Sequence, residues 1–447
     1  MNGVYQRSRG FKASASCRLG RLDPAFRLSL RACLIIALST LSIDRCFADE
    51  SRKEATVSRD ELQARVRAAS DWFLAVQKPD GSFRYGWEPA LDQDLLEESL
   101  IRQAGAAVAV ARCAALTKDK RLEDAATRSI EYLLTQTKRT EGKVPTRRSA
   151  APYQVVHPVG YSALLLLAIM EHPSPTDSMQ SAATELTNYL RLRQRSDGSI
   201  CLGVSDDPAE DDDDDRDHPG LPYYPGEALF ALAKYESRQQ VAVNEQAVRR
   251  SRDFYWRHWR REKEPAFIPW QTAAHAELVA QTKDRTSAEF VFEMNDWLIQ
   301  LQYREDAKAG WVGGFAAYIE GEVVAMEPGI SSASYAESLG DALHVAQIMQ
   351  DSTRKRRYSD ALFAVLRFIN QLQYEPSEVA HFMPEYRSKL VGGFRAGLRQ
   401  GTVRIDFTQH ATLAMCNILA AESFPSAIPA SASREGRSSA GQGGSRK

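Results

Sequence analysis

Two pairs of residues set at helical spacing carry the groups that acid–base chemistry needs. Asp406 and His410 lie four apart and share a face if they stand on a helix. The carboxylate would then orient the imidazole and hold its tautomer, making a general acid/base couple, or the two would form a structural pair. Glu337 and Asp341 repeat the spacing with two carboxylates, and Glu97 with Glu98 adds another pair. Carboxylates facing each other across a cavity suit glycoside hydrolysis, where their separation sets the stereochemical outcome.

A third candidate, Glu227, closes the run Tyr223-Tyr224-Pro225-Gly226-Glu227. Pro225 suits the first turn of a helix, and a carboxylate just inside that turn either complements the helix dipole or serves as an acid or base beside two aromatic rings. Arg395 and Arg404 would form a cationic wall able to hold a carboxylate bidentately, and Arg102 would join them if the ends of the chain meet. Tyr223, Tyr224 and Trp270, with Gln271 beside the last, would line a sugar site. The catalytic candidates are thus Glu227, Asp406 and His410; Arg102, Tyr223, Tyr224, Trp270, Gln271, Glu337, Arg395 and Arg404 are the substrate-binding ones. His275, His344 and His410 lack metal-ligand spacing, so the first two read as hydrogen-bonded core histidines, and no metal or cofactor is required. The run Asp211 to Asp215 reads as a solvated loop, with weak calcium binding or a cyclase-type proton donor as the alternatives.

These residues need elements to position them, and an internal repeat supplies the elements. An aromatic residue near the end of a helical stretch, then Leu, Gln and a Gly-containing turn recur from Trp72-Phe73-Leu74 to Gln77 with Asp80-Gly81-Ser82, and from Tyr189-Leu190 to Gln194 with Asp197-Gly198-Ser199. Weaker copies end at Gln136, Gln302 and Gln373, and Phe254-Tyr255-Trp256 through Trp259 fills the remaining gap, making six units. Each unit is followed by a helix that is apolar on nearly every side, as in Gly105-Ala106-Ala107-Val108-Ala109, and such a helix must be buried on nearly every side. The pattern predicts outer helices near 58–77, 119–137, 178–195, 244–260, 285–302 and 355–374. Inner helices are predicted near 98–117, 157–172, 225–237, 270–283, 333–350 and 406–421. Short inner-to-outer connections and long outer-to-inner ones place every long loop, and every inner-helix N-terminus, at one end. The predicted fold is all-α, an (α/α)6 toroid over 58–421.

The composition agrees with a folded domain of that size. Of 447 residues, 43% are hydrophobic and 26% charged, which excludes disorder for the bulk of the chain. A net charge of -1 removes the electrostatic footprint of a nucleic-acid binder. Arg27 and Arg31, the apolar run Ala32 to Ile43 and Cys46-Phe47-Ala48 read as a secretory signal over 1–48, too short to span a bilayer, which takes roughly 20 residues. The expected chain is therefore exported, periplasmic or secreted, with no stable membrane insertion after cleavage; an uncleaved anchor is the alternative. Cys113, Cys201 and Cys416 then remain, without disulfide or zinc spacing. Residues 423–447, rich in Ser, Ala, Gly and Arg, read as a disordered tail.

With its repeats in view, the chain resembles the α/α-toroid superfamily of terpene cyclases, prenyltransferase β-subunits and carbohydrate-active enzymes, whose QW repeats the glutamine-aromatic-glycine phrases are similar to. Arg102-Gln103-Ala104-Gly105, Tyr223 to Glu227, Gly392-Gly393-Phe394-Arg395 and Arg404-Ile405-Asp406 to Gln409-His410 look like the marks of a little-characterised exported bacterial toroid family. Gln103 stands where that resemblance implies a His. The resemblance implies a fold; the residues suggest a cell-envelope enzyme acting on a polar or acidic glycan as hydrolase, lyase or epimerase. A non-catalytic glycan- or protein-binding toroid and an isoprenoid cyclase are the alternatives. Full pairing of the carboxylates would favour the binder, and a deep apolar cavity the cyclase.

Overall fold

A side-chain cap starts every outer helix. In the computed structural model, which describes residues 57–420 except 97, 143, 204–217 and 242–243, Ser58, Asp119, Thr176, Asn244, Asp284 and Asp351 each accept a hydrogen bond from a backbone N–H in the first turn that follows. Each such cap satisfies a donor the helix leaves orphaned, worth about 1 kcal/mol. The helices so begun are α1 (Arg59–Val76), α3 (Lys120–Thr135), α5 (Asp177–Leu192), α7 (Glu245–Arg261), α9 (Arg285–Leu298) and α11 (Ser352–Asn370). Between them run α2 (Leu100–Thr117), α4 (Pro158–Glu171), α6 (Tyr224–Gln239), α8 (Ile268–Thr282), α10 (Ser332–Ile348) and α12 (Ile405–Ala420).

The second set forms the inner wall. Helix α2 packs on α4, α4 on α6, α6 on α8, α8 on α10, α10 on α12, and α12 back on α2, which closes the ring. Close approach at the last seam requires Gly105, where a Cβ would lie 2.1 Å from the Gln409 side chain. Every residue of α4 is buried, and α2, long and apolar enough by composition to cross a membrane, is instead one stave of the ring. Leu62, Trp72, Phe73, Leu122, Ile130, Leu186, Phe290, Tyr358 and Phe368 fill the layer between the two sets. The inner-to-outer turns repeat a left-handed residue just before the cap: Lys118 (φ 57°), Lys283 (φ 59°) and Gln350 (φ 59°) precede Asp119, Asp284 and Asp351.

At the opposite end the long connections carry all the described strands. β1 (Gly86–Glu88) pairs antiparallel with β2 (Gln93–Asp94) on one side and with β7 (Val403–Arg404) on the other, while β3 (Thr137–Thr140) with β4 (Thr146–Ser149) and β5 (Ala317–Ile319) with β6 (Glu322–Val324) are hairpins. The reading of the chain as purely helical misses these strands. They are too short to show alternation.

The repeated glutamine joins one outer helix to the next. Gln77 Nε2 donates to Ala125 O of α3 (2.9 Å), Gln194 Nε2 to Ala247 O and Ser251 Oγ of α7, Gln302 Nε2 to Ala361 O of α11 (2.9 Å), and Gln373 Nε2 to Arg65 O of α1 (3.0 Å). The accompanying glycine has left-handed φ and lies flat on the same neighbour: a Cβ on Gly392 (φ 89°) would fall 2.1 Å from Ala68 O, and one on Gly313 (φ 90°) 2.0 Å from Ala364 O. Gly313, not Gly310, is therefore the partner of Gln302. Gln136 departs from the pattern; its carboxamide turns to Thr135.

Gly392→Ala should cost about 1–3 kcal/mol through clash and left-handed strain. Gly340→Ala, within α10 and with nothing inside 4 Å of the new methyl, should add about 0.5–1 kcal/mol. Thermal denaturation of the two variants checks the opposite signs.

Candidate functional site

Four of the inner helices begin differently from the outer ones, whereas α2 is capped by Ser99, which accepts from Arg102 N. No side chain caps α4, α6, α8 or α10, and Pro158, Pro225 and Pro269 occupy first-turn positions. Helix N-termini carry partial positive charge, so their convergence at one rim makes a mouth that favours electron-rich groups.

At that rim Asp406 joins three elements. Arg404 of β7 grips it with two bonds (Nε to Oδ1 2.8 Å, Nη2 to Oδ2 2.6 Å), and Arg102 Nε of α2 lies 3.2 Å from Oδ2. Arg102 also donates to Tyr85 OH, and the Arg404 guanidinium lies over the Phe407 ring. The pairing of β7 with β1 sets Arg404 opposite Gly86, where a Cβ would press into the Arg404 side chain at 2.8 Å. Two guanidiniums thus share one carboxylate here.

Glu227 is the opposite case. It sits in the first turn of α6 with 4% exposure, and its Oε2 has no hydrogen-bond partner. Burial alone lifts its pKa to about 8, so the carboxyl is mostly protonated at pH 7. Gly160 of α4 makes the space it occupies, since a Cβ there would stand 3.0 Å from Oε2 and 2.4 Å from the Tyr224 ring. Gln271, fully buried on α8, likewise has neither end of its carboxamide bonded. The two helices touch here: a Cβ on Gly226 would lie 2.6 Å from Trp270 Cβ and 2.9 Å from Gln271 N. Unpaired buried polar groups are uncommon, and each marks a place for water or a ligand.

Trp270 carries the site across the ring. Its indole meets the His410 ring edge-on with centroids 6.2 Å apart, and His410 Nδ1 lies 2.6 Å from Glu337 Oε1. The carboxylate bonded to the imidazole is therefore Glu337 of α10, whereas Asp406, one turn away, is taken by the arginines. Burial opposes charge on His410, but the Glu337 carboxylate more than offsets it and raises the ring's pKa. Burial, with Glu337 nearby, also lifts Asp341 to about 7. Trp270, His410, Glu337 and Asp341 line a hollow of about 30 Å³ together with Phe230, Arg112 and Asn417. One or two waters fit there; a sugar ring does not. Further in, Arg112 bonds Glu171 and Asn417, and Lys234 reaches Glu277 (3.0 Å).

The other candidates fall in several places. Tyr224 stacks on His157 (4.2 Å, 17°) beside His218, whose Nε2 is 2.6 Å from Tyr153 OH; Tyr223 stays 42% exposed. His157, His218 and Tyr153 escaped the sequence reading because no spacing links them. Arg395 stands apart from Arg404, held by Glu378 (3.1 Å) and Gln371 O (2.5 Å) over the Tyr374 ring. Gln103 clamps the backbone of Phe83 through both ends of its carboxamide. His275 is buried, with neither nitrogen hydrogen-bonded, which departs from the expected bonded core histidine. Glu98 pairs with Lys78, while Glu97, the run Asp211 to Asp215, the leader and the tail lie outside the described residues. Among the described residues no three His, Cys, Asp or Glu gather as metal ligands.

No protein-family model and no curated protein matches the chain. Solved structures do. Cellobiose 2-epimerase from Bacillus thermoamylovorans B4167 is similar with a TM-score of 0.55 at 10% identity, over 81% of this chain and 98% of that one. The α-1,6-mannanase GH76A of Salegentibacter sp. HEL1_6, solved with α-1,6-mannotriose, gives 0.52 at 8% identity, over 80% and 98%. An unsaturated glucuronyl hydrolase specific for heparin gives 0.52 at 12% identity, over 80% and 96%. At such identities the likeness is one of fold, and the fold is the (α/α)6 toroid.

Two measurements check the electrostatics. Because folding raises the Glu227 pKa, the stability tied to its proton is full below the ordinary value of 4.5 and is lost as pH rises through about 8. Glu227→Gln should therefore gain on the wild type by a few kcal/mol between pH 5 and pH 9 in denaturant titrations. In Glu337→Gln, the His410 ring should titrate at lower pH than in the wild type, read by NMR of the imidazole.

Proposed function

We propose that the chain is a carbohydrate-active enzyme of the hydrolase, lyase or epimerase type that works on a polar or acidic glycan at the inner-helix rim. One observation carries the proposal: Glu227 is a buried, unpaired carboxyl packed toward Gly160 and the Tyr224 ring, with a pKa of about 8. A carboxylic acid kept neutral at working pH can give a proton to a glycosidic or ring oxygen, as general acids must. His410, oriented by Glu337, is the complementary base. Tyr223, Tyr224 and Trp270 supply faces for sugar rings, and the Arg102 and Arg404 guanidiniums at Asp406 supply N–H donors for an anionic substituent.

Support for a sugar substrate comes from the similar folds, which serve a mannanase, a glucuronyl hydrolase and an epimerase. Because the hollow holds about 30 Å³, the glycan rests above it and only the reacting atoms or water reach His410. The hollow sets Arg112, Glu337, Asp341 and His410 among apolar side chains, and at about 30 Å³ it is not the deep apolar pocket an isoprenoid cyclase needs. Export is part of the proposal, on the strength of the basic flank and apolar run before Ala48. A second reading, a toroid that binds glycans without chemistry, draws on the pairing of Asp406 and Glu337.

The test is a panel of neutral and uronic-acid oligosaccharides, with reducing ends, unsaturated products and epimers followed separately. Glu227→Gln and His410→Gln should each lower kcat by about 10²–10⁴-fold with KM little changed, and the wild-type rate should fall as pH rises through about 8. Unchanged turnover in both variants would refute the assignment. Binding without turnover in the wild type would leave the second reading.

A further inference from the structure

A second cavity of about 230 Å³ opens where the C-terminal end of α7 meets the turn at 195–200; Arg195, Arg257, His258 and Arg261 line it, with Phe254 and Leu221 among the apolar side chains. Among the described residues, Arg257 and Arg261 have no ion-pair partner, and one helical turn separates these like charges, an arrangement that costs an isolated helix a few tenths of a kcal/mol. The acid in the lining, Asp197, is used locally: its Oδ1 accepts from Ser199 N (2.9 Å) and Ser199 Oγ (2.8 Å). Complementing the helix dipole accounts for cations on the last turn of α7. It does not account for a cleft with an aromatic floor beneath them. Leu221, in the cavity wall, lies three residues before Tyr224, so at most about 11 Å of chain separates this cleft from the rim.

We propose that this cleft is a subsite for one anionic sugar unit, its carboxylate, sulfate or phosphate held by Arg257 and Arg261 and its ring set against Phe254. Guanidiniums bind such groups bidentately, and the volume, below the ~300–1,000 Å³ of a whole-ligand pocket, suits a single residue of a longer chain. The sugar in this assignment rests on the reading of the rim as carbohydrate-directed; the anion site does not.

Calorimetric titration of the full chain with glucuronate, glucose 6-sulfate, glucose 6-phosphate, glucose and inorganic sulfate tests it. At least one charged sugar should bind, glucose should not, and inorganic sulfate should bind at least 10-fold more weakly; the preferred sugar identifies the anionic group. The double variant Arg257→Gln/Arg261→Gln, at exposed positions, should lose at least 10-fold in affinity, and Glu227→Gln should keep it. No binding of any charged sugar, or binding unchanged in the arginine variant, would overturn the site. Sulfate binding as tightly as the sugars would overturn the sugar unit. Affinity lost in Glu227→Gln instead would move the anion to the rim and overturn the cleft, whereas failure of the rim chemistry alone leaves this binding intact.

Discussion

A glutamine carboxamide and a left-handed glycine, laid together on the backbone of the neighbouring outer helix, set the geometry on which everything else depends. The contact works only if the turn after one outer helix reaches a particular level of the next, as Gln77 and Gly81 reach Ala125 and Arg128. It therefore fixes axial register as well as distance. The last such contact, from Gln373 and Gly392 to Arg65 and Ala68, joins the outer layer across the same seam where α12 meets α2. With the outer helices in register, the inner helices begin at one end of the ring, and the N-termini of α4, α6, α8 and α10 lack side-chain caps there.

Within that frame the charges are sorted by depth and by partner. At the rim Asp406 is claimed twice, by Arg404 and Arg102; deeper, Glu171 is claimed by Arg112 and held at about 2. Glu227 sits between these levels without a cation, against a glycine and two aromatic rings. Removing an ion from water without a partner is costly, and the protein meets that cost by keeping the proton. The same logic governs the two carboxylates of α10: burial raises both, but Glu337 is bonded to His410, while Asp341 is lifted to about 7 despite the charges of Arg112 and Lys234.

How much of this was legible in the sequence follows from the range of each interaction. Helix alternation, the ring and its polarity are written in periodicities of a few residues, and Glu227 is visible because proline, glycine and aromatic residues announce its turn. Partnerships across the ring are not. Asp406 and His410 looked like a couple because they are four apart, yet the imidazole is bonded 73 residues away, to Glu337. Arg395 has the spacing of a companion of Arg404, but although its backbone bridges Val403, its guanidinium is held by Glu378 and Gln371 O. Pairings of that kind depend on rotamers and on which competing charge lies closest, and no spacing rule encodes them.

The seam between α12 and α2 also bears on how the molecule comes to exist. Cys113 and Cys416 touch there at 3.8 Å, and Arg59 Nη2 reaches Leu419 O, so the first helix pair of the ring is joined to the last. A polypeptide made from the N-terminus must carry five helix pairs as an open arc, with the apolar flanks of α2 and α10 bare, until residues 405–420 emerge. Contacts so remote in sequence form slowly, and exposed arcs are prone to associate. The final sixteen-residue stave is thus the one whose late arrival a nascent chain must survive, by chaperoning or by delay, before the ring has an inside.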